Sequence, residues 1–145
     1  MKRIKISEDI NFIGCWNIEN NNLCRKIIEI FEHRKDLQRR GVTGYGKDEK
    51  AKKSIDISLD PKNLSENDFK DINFYFEELF NCYQDYKKQW PFLKDNLKTL
   101  DIPTFNIQKY EPGGHYNLNH CERGSLQSMH RVFAWMTYLN DVEDG

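Results

Sequence analysis

The feature that most constrains the fold is a change of hydrophobic periodicity near residue 100. Before it, apolar side chains recur at helical spacing in two stretches, and after it they alternate between turn signals. Helical segments followed by strand segments are typical of an α+β domain. A chain of 145 residues has the length of about one domain, so we expect residues 1–145 to form a single domain.

Two amphipathic helices are predicted in the first hundred residues. The first covers about residues 22–34, and Asn20 to Asn22 offer N-caps for it. The second begins in residues 65–68, which have the spacing of a capping box, and Pro91 limits it to about Gln89. Its apolar stripe is predicted to be core and consists of Phe69, Ile72, Phe76, Leu79, Phe80 and Tyr83.

Period-two alternation predicts the strands. They are expected at residues 2–6, 54–59, 104–110, 115–122 and 131–139, with turns at 111–114 and 122–125. Residues 38–53 carry three glycines, six basic side chains and almost no apolar ones. We interpret this stretch either as a solvated mobile loop or as a flap that closes over a substrate.

Composition excludes several classes of protein. A net charge of −1 excludes a globally basic nucleic-acid binder, and no apolar run approaches the roughly 20 residues that span a bilayer. The four cysteines form no CxxC pair, which argues against a zinc finger or a disulfide scaffold. We therefore expect a cytoplasmic protein with reduced thiols and no membrane partner. The basic loop 39–53 leaves nucleic acid as a weaker alternative partner, with only Tyr45 available for stacking.

The strongest chemical signal is His120-Cys121-Glu122 on a predicted strand. Because alternate residues of a strand project to one face, the His120 imidazole and the Glu122 carboxylate are expected to converge while Cys121 points away. Together they supply two thirds of the facial triad that binds Fe(II) in oxygenases. Cys121 is expected to be a buried small hydrophobe.

The surroundings of this motif resemble the prolyl 4-hydroxylase-like branch of the 2-oxoglutarate/Fe(II)-dependent dioxygenases. That family combines a strand ending in Tyr, a Pro-Gly turn, a metal-binding His-x-Asp and a later strand ending in Tyr-Leu-Asn. The matching segments here are residues 105–116, 120–122 and 131–141, with Tyr110, Pro112-Gly113, His120, Glu122 and Tyr138-Leu139-Asn140 at the motif positions.

The resemblance implies a fold, a reaction and a set of site residues. The fold would be a distorted double-stranded β-helix, a jelly-roll of cupin type, behind N-terminal helices. His120 and Glu122 would bind Fe(II), and Tyr110 and Tyr138 would line the site of the co-substrate 2-oxoglutarate, with ascorbate as an accessory reductant. The reaction would be hydroxylation, with a prolyl residue of a peptide or protein as the expected substrate and a small molecule as the alternative.

The chain departs from the family pattern in two ways. Glu122 replaces the commoner Asp, and the second metal histidine and the basic 2-oxoglutarate anchor of the family lie some tens of residues after the Tyr-Leu-Asn strand, beyond Gly145. We therefore expect a fragment whose jelly-roll is incomplete at the C-terminus and whose own turnover is negligible. The alternative is a non-catalytic jelly-roll binding module, and the sequence assigns no oligomeric state.

The remaining histidines have simpler interpretations. His33 is expected at the surface near the C-terminus of the first helix, where a cation is favoured. His115 falls on the strand face opposite His120, and His130 falls at a loop edge before the last predicted strand. None of the three is assigned as a metal ligand.

Overall fold

The structure, a computed structural model, describes residues 1–6, 12–44, 46–65 and 67–143. It combines helices with small antiparallel sheets, which is compatible with the predicted α+β class, and the described residues form no closed barrel. The helices are α1 (Asn21–His33), α2 (Lys70–Gln89) and α3 (Phe92–Asn96), with 3-10 turns at Pro61–Ser65 and Asn67–Phe69. The strands are β1 (Lys2–Ile4), β2 (Cys15–Asn17), β3 (Arg39–Arg40), β4 (Lys52–Lys53), β5 (Ile55–Leu59), β6 (Phe105–Lys109) and β7 (His115–Tyr116).

The residues group into two compact units. The first comprises residues 1–33 and 59–105, and the second comprises residues 34–58 and 106–145. In the part of the chain that the structure describes, no helix combines the length and the apolar character needed to cross a bilayer.

The predicted first helix is confirmed as α1 and lies in the first unit. Its buried face consists of Leu23, Ile27 and Phe31, four residues apart, and packs against α2. The Asn20 side chain accepts a hydrogen bond from the backbone N–H of Leu23, as expected of an N-cap. The apolar periodicity and the cap together explain where this helix forms.

Helix α2 ends at Gln89, as Pro91 predicts, but begins at Lys70, after a 3-10 turn. Its first helical residue follows Phe69, which makes no side-chain capping hydrogen bond. The side chain of Ser65, on which the predicted capping box depends, lies outside the described part of the structure. A short 3-10 segment at a helix start is common, so the boundary shifts by a few residues without changing the element.

The predicted core stripe of α2 is only partly right. Phe69 and Ile72 are buried, but Phe80 is 56% exposed, and the buried face continues instead through Tyr75, Cys82 and Tyr86, which the prediction left out. Apolar side chains lie on two adjacent faces of this helix. Spacing alone could not decide which of those faces would be covered.

The paired strands β1 and β2 are tied to α2 by one carboxylate. Asp85 Oδ2 accepts hydrogen bonds from Arg3 Nε at 2.8 Å and from Trp16 Nε1 at 3.1 Å. The Arg3 guanidinium also lies over the Trp16 ring, 5.0 Å from its centroid. The hydrogen bond from the Trp16 indole holds the pKa of Asp85 below its usual range, and Arg3 makes the next largest contribution in the same direction.

The second unit contains a three-stranded sheet in the order β3, β5, β6 and the antiparallel pair β4 and β7. Predicted strands 54–59 and 104–110 are confirmed as β5 and β6. The predicted strand 115–122 is wrong beyond Tyr116, and residues 131–139, all of which the structure describes, form no strand. A strand needs a hydrogen-bonding partner, and β7 has one only along the two residues of β4.

Residues 38–53 are better anchored than the sequence predicts. β3 and β4 pair near the two ends of the stretch, and Ala51 and Lys52 are buried, so the stretch is not solvated loop at these residues. Tyr45, considered above for base stacking, lies outside the described residues.

The predicted turn at residues 111–114 is confirmed. The Gly114 N–H donates to the Glu111 carbonyl oxygen at 2.6 Å, and Gly113 has φ 75°. Pro112 in second position and a left-handed glycine in third position are what a type II turn requires. This turn connects the end of β6 to β7.

Candidate metal site at His120 and Glu122

The His120 and Glu122 side chains converge in the second unit. His120 Nε2 lies 3.4 Å from Glu122 Oε1. Strand alternation is not the cause, because residues 117–122 form no strand and Glu122 lies in a turn. The predicted proximity is therefore present, but the local backbone that produces it is different.

The His120 ring is fixed at two points. Its Nδ1 lies 3.0 Å from the carbonyl oxygen of Leu118, and its ring stacks on Tyr116 with centroids 4.6 Å apart and planes 18° apart. A carbonyl oxygen can only accept, so Nδ1 carries the proton in this hydrogen bond. Nε2 is then the nitrogen whose lone pair faces Glu122 in the neutral ring. Metal-binding histidines typically donate their other ring N–H to a carbonyl or carboxylate oxygen in this way.

Glu122 is held through its other oxygen. Glu122 Oε2 accepts a hydrogen bond from Arg131 Nη1 at 2.9 Å, while Oε1 faces His120. The side chains of His120 and Glu122 are 46% and 49% exposed, so the contact between them contributes little to stability. The arrangement leaves an imidazole nitrogen and a carboxylate oxygen side by side and open to solvent.

This donor set fits part of an Fe(II) site. One imidazole nitrogen and one carboxylate oxygen are two members of the facial triad of non-haem iron oxygenases. Among the described residues, no three His, Cys, Asp or Glu side chains are grouped so that they could hold a metal ion together. The described structure thus brings together the two ligands that the sequence assigns, and assigns no third.

The two predicted co-substrate tyrosines lie in different settings. Tyr110 follows β6, is 41% exposed, and places its hydroxyl 3.4 Å from Gln108 Oε1. Burial of its hydroxyl raises the pKa of Tyr110. Tyr138 is 80% exposed and belongs to the segment 131–139 that forms no strand. The structure places neither hydroxyl in a hydrogen bond with His120 or Glu122.

The other histidines have backbone partners or lie at the surface. His115 on β7 has Nδ1 3.2 Å from the Gly113 carbonyl oxygen and Nε2 3.2 Å from the Lys50 carbonyl oxygen, so both ring nitrogens face backbone. His33 is exposed at the end of α1, as predicted, and His130 is exposed.

The expectation that Cys121 is buried is wrong. Its side chain is exposed, and its Sγ accepts a hydrogen bond from the backbone N–H of Arg123 at 3.3 Å. The expectation depended on a strand with one covered face, and a turn replaces that strand. All four cysteines are free thiols in the structure.

Sequence reasoning missed the residues that orient the site. Arg131 was assigned only to a predicted strand, and nothing in a nine-residue separation indicates that it pairs with Glu122. The stacking of Tyr116 on His120 has a weak signal, since aromatic rings four residues apart can meet in a bent chain.

Comparisons of the chain with protein-family models, with curated proteins and with solved structures found no match.

Proposed function

We propose that this chain supplies metal-binding and co-substrate-binding residues of a 2-oxoglutarate/Fe(II)-dependent dioxygenase of the prolyl 4-hydroxylase-like type. The observation that supports it best is the convergence of His120 Nε2 and Glu122 Oε1, with the proton of His120 fixed on Nδ1 by the Leu118 carbonyl. The motif order in residues 105–141 resembles that family and supports the same function. The jelly-roll of the family is proposed along with it.

His120 and Glu122 would hold the metal ion. Fe(II) bound there would couple oxidative decarboxylation of 2-oxoglutarate, giving succinate and carbon dioxide, to hydroxylation of a C–H bond. A prolyl residue in a peptide or protein is the proposed substrate, and ascorbate would keep the iron reduced. Tyr110 and Tyr138 are proposed to contact 2-oxoglutarate.

The chain's own residues prepare the two ligands. The Leu118 carbonyl keeps the proton of the imidazole on Nδ1, away from the metal-facing nitrogen, and Tyr116 restricts rotation of the ring. Arg131 Nη1 donates a hydrogen bond to Glu122 Oε2, which leaves Oε1 as the metal-binding oxygen. These contacts orient two donors before any metal binds.

Metal binding tests the proposal directly. Mn(II), a paramagnetic probe for the Fe(II) site, is added to the ¹⁵N-labelled 145-residue chain, and broadening of amide signals is followed. We expect saturable broadening centred on residues 116–123 and 131. His120→Ala and Glu122→Gln are expected to weaken binding at least about tenfold, because each removes one of two donors.

His130→Ala is the matched control, since it removes an exposed histidine outside the pair and should leave Mn(II) binding unchanged. Succinate formation with Fe(II), ascorbate and 2-oxoglutarate is measured in parallel and is expected to be very slow, because the described residues supply two of the three protein ligands of the facial triad. Mn(II) binding that is indifferent to His120→Ala would refute the metal site. Turnover that survives this substitution would refute the assigned ligands.

A further inference from the structure

A cleft of about 330 Å³ opens on the polar face of the three-stranded sheet in the second unit. Its cationic lining is Arg39 and Arg40 on β3 and Lys47 in the following loop. Ser58 on β5 and Asn106 on β6 also line it. Residues of all three paired strands line the cleft, so hydrogen bonds of the sheet hold the backbone beneath it in place.

Asp56 is the one carboxylate of the lining, and its charge is already compensated. Asp56 Oδ2 accepts from Lys52 Nζ at 2.7 Å and from Gln108 Nε2 at 3.1 Å. Its Oδ1 accepts from Ser54 Oγ at 2.7 Å. Lys52 and Asp56 are both buried and neutralise each other. Arg40 Nη1 forms an ion pair with Glu49 Oε1, so Arg39 and Lys47 supply the excess positive charge of the cleft.

The lining also offers hydrogen-bond donors. Arg39 uses only Nη1, for the carbonyls of Asp36 and Gln38, so within the described residues its Nε and Nη2 donors have no partner. Lys47 likewise makes no side-chain hydrogen bond or ion pair to any residue that the structure describes. Ser58 Oγ donates to Asn106 Oδ1 at 2.6 Å, which leaves the Asn106 Nδ2 hydrogens to face a ligand.

We propose that this cleft binds a small anion that carries a carboxylate or phosphate group. Oxygen acceptors with negative charge match a lining of guanidinium, ammonium and amide donors, and a forked arginine side chain favours both groups. The volume is at the lower end of the range for small-molecule sites. The site is distinct in its residues from His120 and Glu122 and does not depend on a metal.

Inorganic phosphate and succinate are the probes, each titrated into the ¹⁵N-labelled 145-residue chain at constant ionic strength set with sodium chloride. We expect saturable amide shifts for at least one probe, concentrated at residues 39–42, 47, 56–58 and 106. Tighter binding of phosphate would show that the cleft prefers a phosphorylated ligand, and tighter binding of succinate would show that it prefers a carboxylate ligand. Absence of saturation by both probes would overturn the proposal.

Lys47→Gln is the decisive variant, because the Lys47 side chain makes no hydrogen bond or ion pair with any described residue and its loss should leave the fold intact. We expect it to weaken binding of the preferred probe about tenfold, as for loss of a charge-assisted hydrogen bond. Lys50→Gln is the matched control: it removes the same charge from the same loop, outside the cleft lining, and should change affinity less than twofold. Equal losses for the two variants would show unspecific charge attraction and refute the site.

Discussion

At the scale of single residues, Gly41 lies against the polar cluster around Asp56. A Cβ at position 41 would lie 2.1 Å from Ser54 Oγ and 3.0 Å from Lys52 Cε. Neither neighbour can withdraw freely, because Ser54 Oγ and Lys52 Nζ are both hydrogen-bonded to Asp56. Only glycine fits this close approach without disturbing the buried ion pair.

Gly41→Ala is therefore expected to lower the free energy of unfolding by about 1–3 kcal/mol, the usual cost of overpacking a filled site. Gly44→Ala is the matched control, since a Cβ there meets no atom of the described residues within 4 Å, and it should cost less than about 0.5 kcal/mol. Urea denaturation followed by circular dichroism measures both. Equal costs would show that residue 41 is not in a tight contact.

At the scale of the element, α2 shows how tertiary packing chooses between two apolar faces. Ile72 is almost fully buried in the first unit, whereas Phe80 is largely exposed on the same helix. Both residues belong to the stripe that helical spacing predicts as core. Spacing identifies the helix correctly, but burial depends on which neighbours reach it, and those are distant in sequence.

Ile72→Ala is expected to destabilise the protein by about 2–5 kcal/mol, because it leaves a cavity in a packed region. Phe80→Ala removes a larger side chain but should cost about 1 kcal/mol or less, because that ring remains mostly in water. Thermal and urea denaturation of the two variants give the comparison. A larger loss for Phe80→Ala would contradict the burial described for α2.

At the scale of the whole molecule, stability is expected to depend on pH through Asp85. Its folded-state pKa lies below the ordinary value of 3.8 because Trp16 and Arg3 bind the charged carboxylate. The unfolded chain therefore takes up this proton at a higher pH than the folded protein. The stabilising contribution is complete above the unfolded pKa and is lost as pH falls through the folded pKa.

Asp85→Asn is expected to lower the thermal unfolding midpoint at pH 7, and the difference from the wild-type chain should shrink as pH falls below 3.8, the ordinary pKa of the carboxyl. Asp101→Asn changes an exposed carboxylate in the same unit and serves as the control for net charge. The test compares the thermal unfolding midpoints of the wild-type chain and the two variants across pH 2–7. A difference independent of pH would mean that Asp85 contributes through packing rather than charge.

The candidate site was predictable in part. His120 and Glu122 stand two residues apart, so their proximity follows from short-range geometry even though a turn replaces the expected strand. Arg131 pairs with Glu122 across nine residues of chain, and no local pattern indicates that contact. The basic character of residues 39–53 is visible in the sequence. The shape of the cleft that Arg39, Arg40 and Lys47 line is not, because residues from three different strands form it.

The sequence by itself determined the elements whose physics is local. The extent of α1, the end of α2 before Pro91, the strands β5 and β6 and the turn at residues 111–114 follow from periodicity, capping and the backbone limits of proline and glycine. The tertiary structure alone decided which face of α2 is covered, that Lys52 is buried against Asp56, and that residues 131–139 form no strand. These depend on partners far along the chain, because burial and strand pairing are properties of two segments and neither segment specifies them alone.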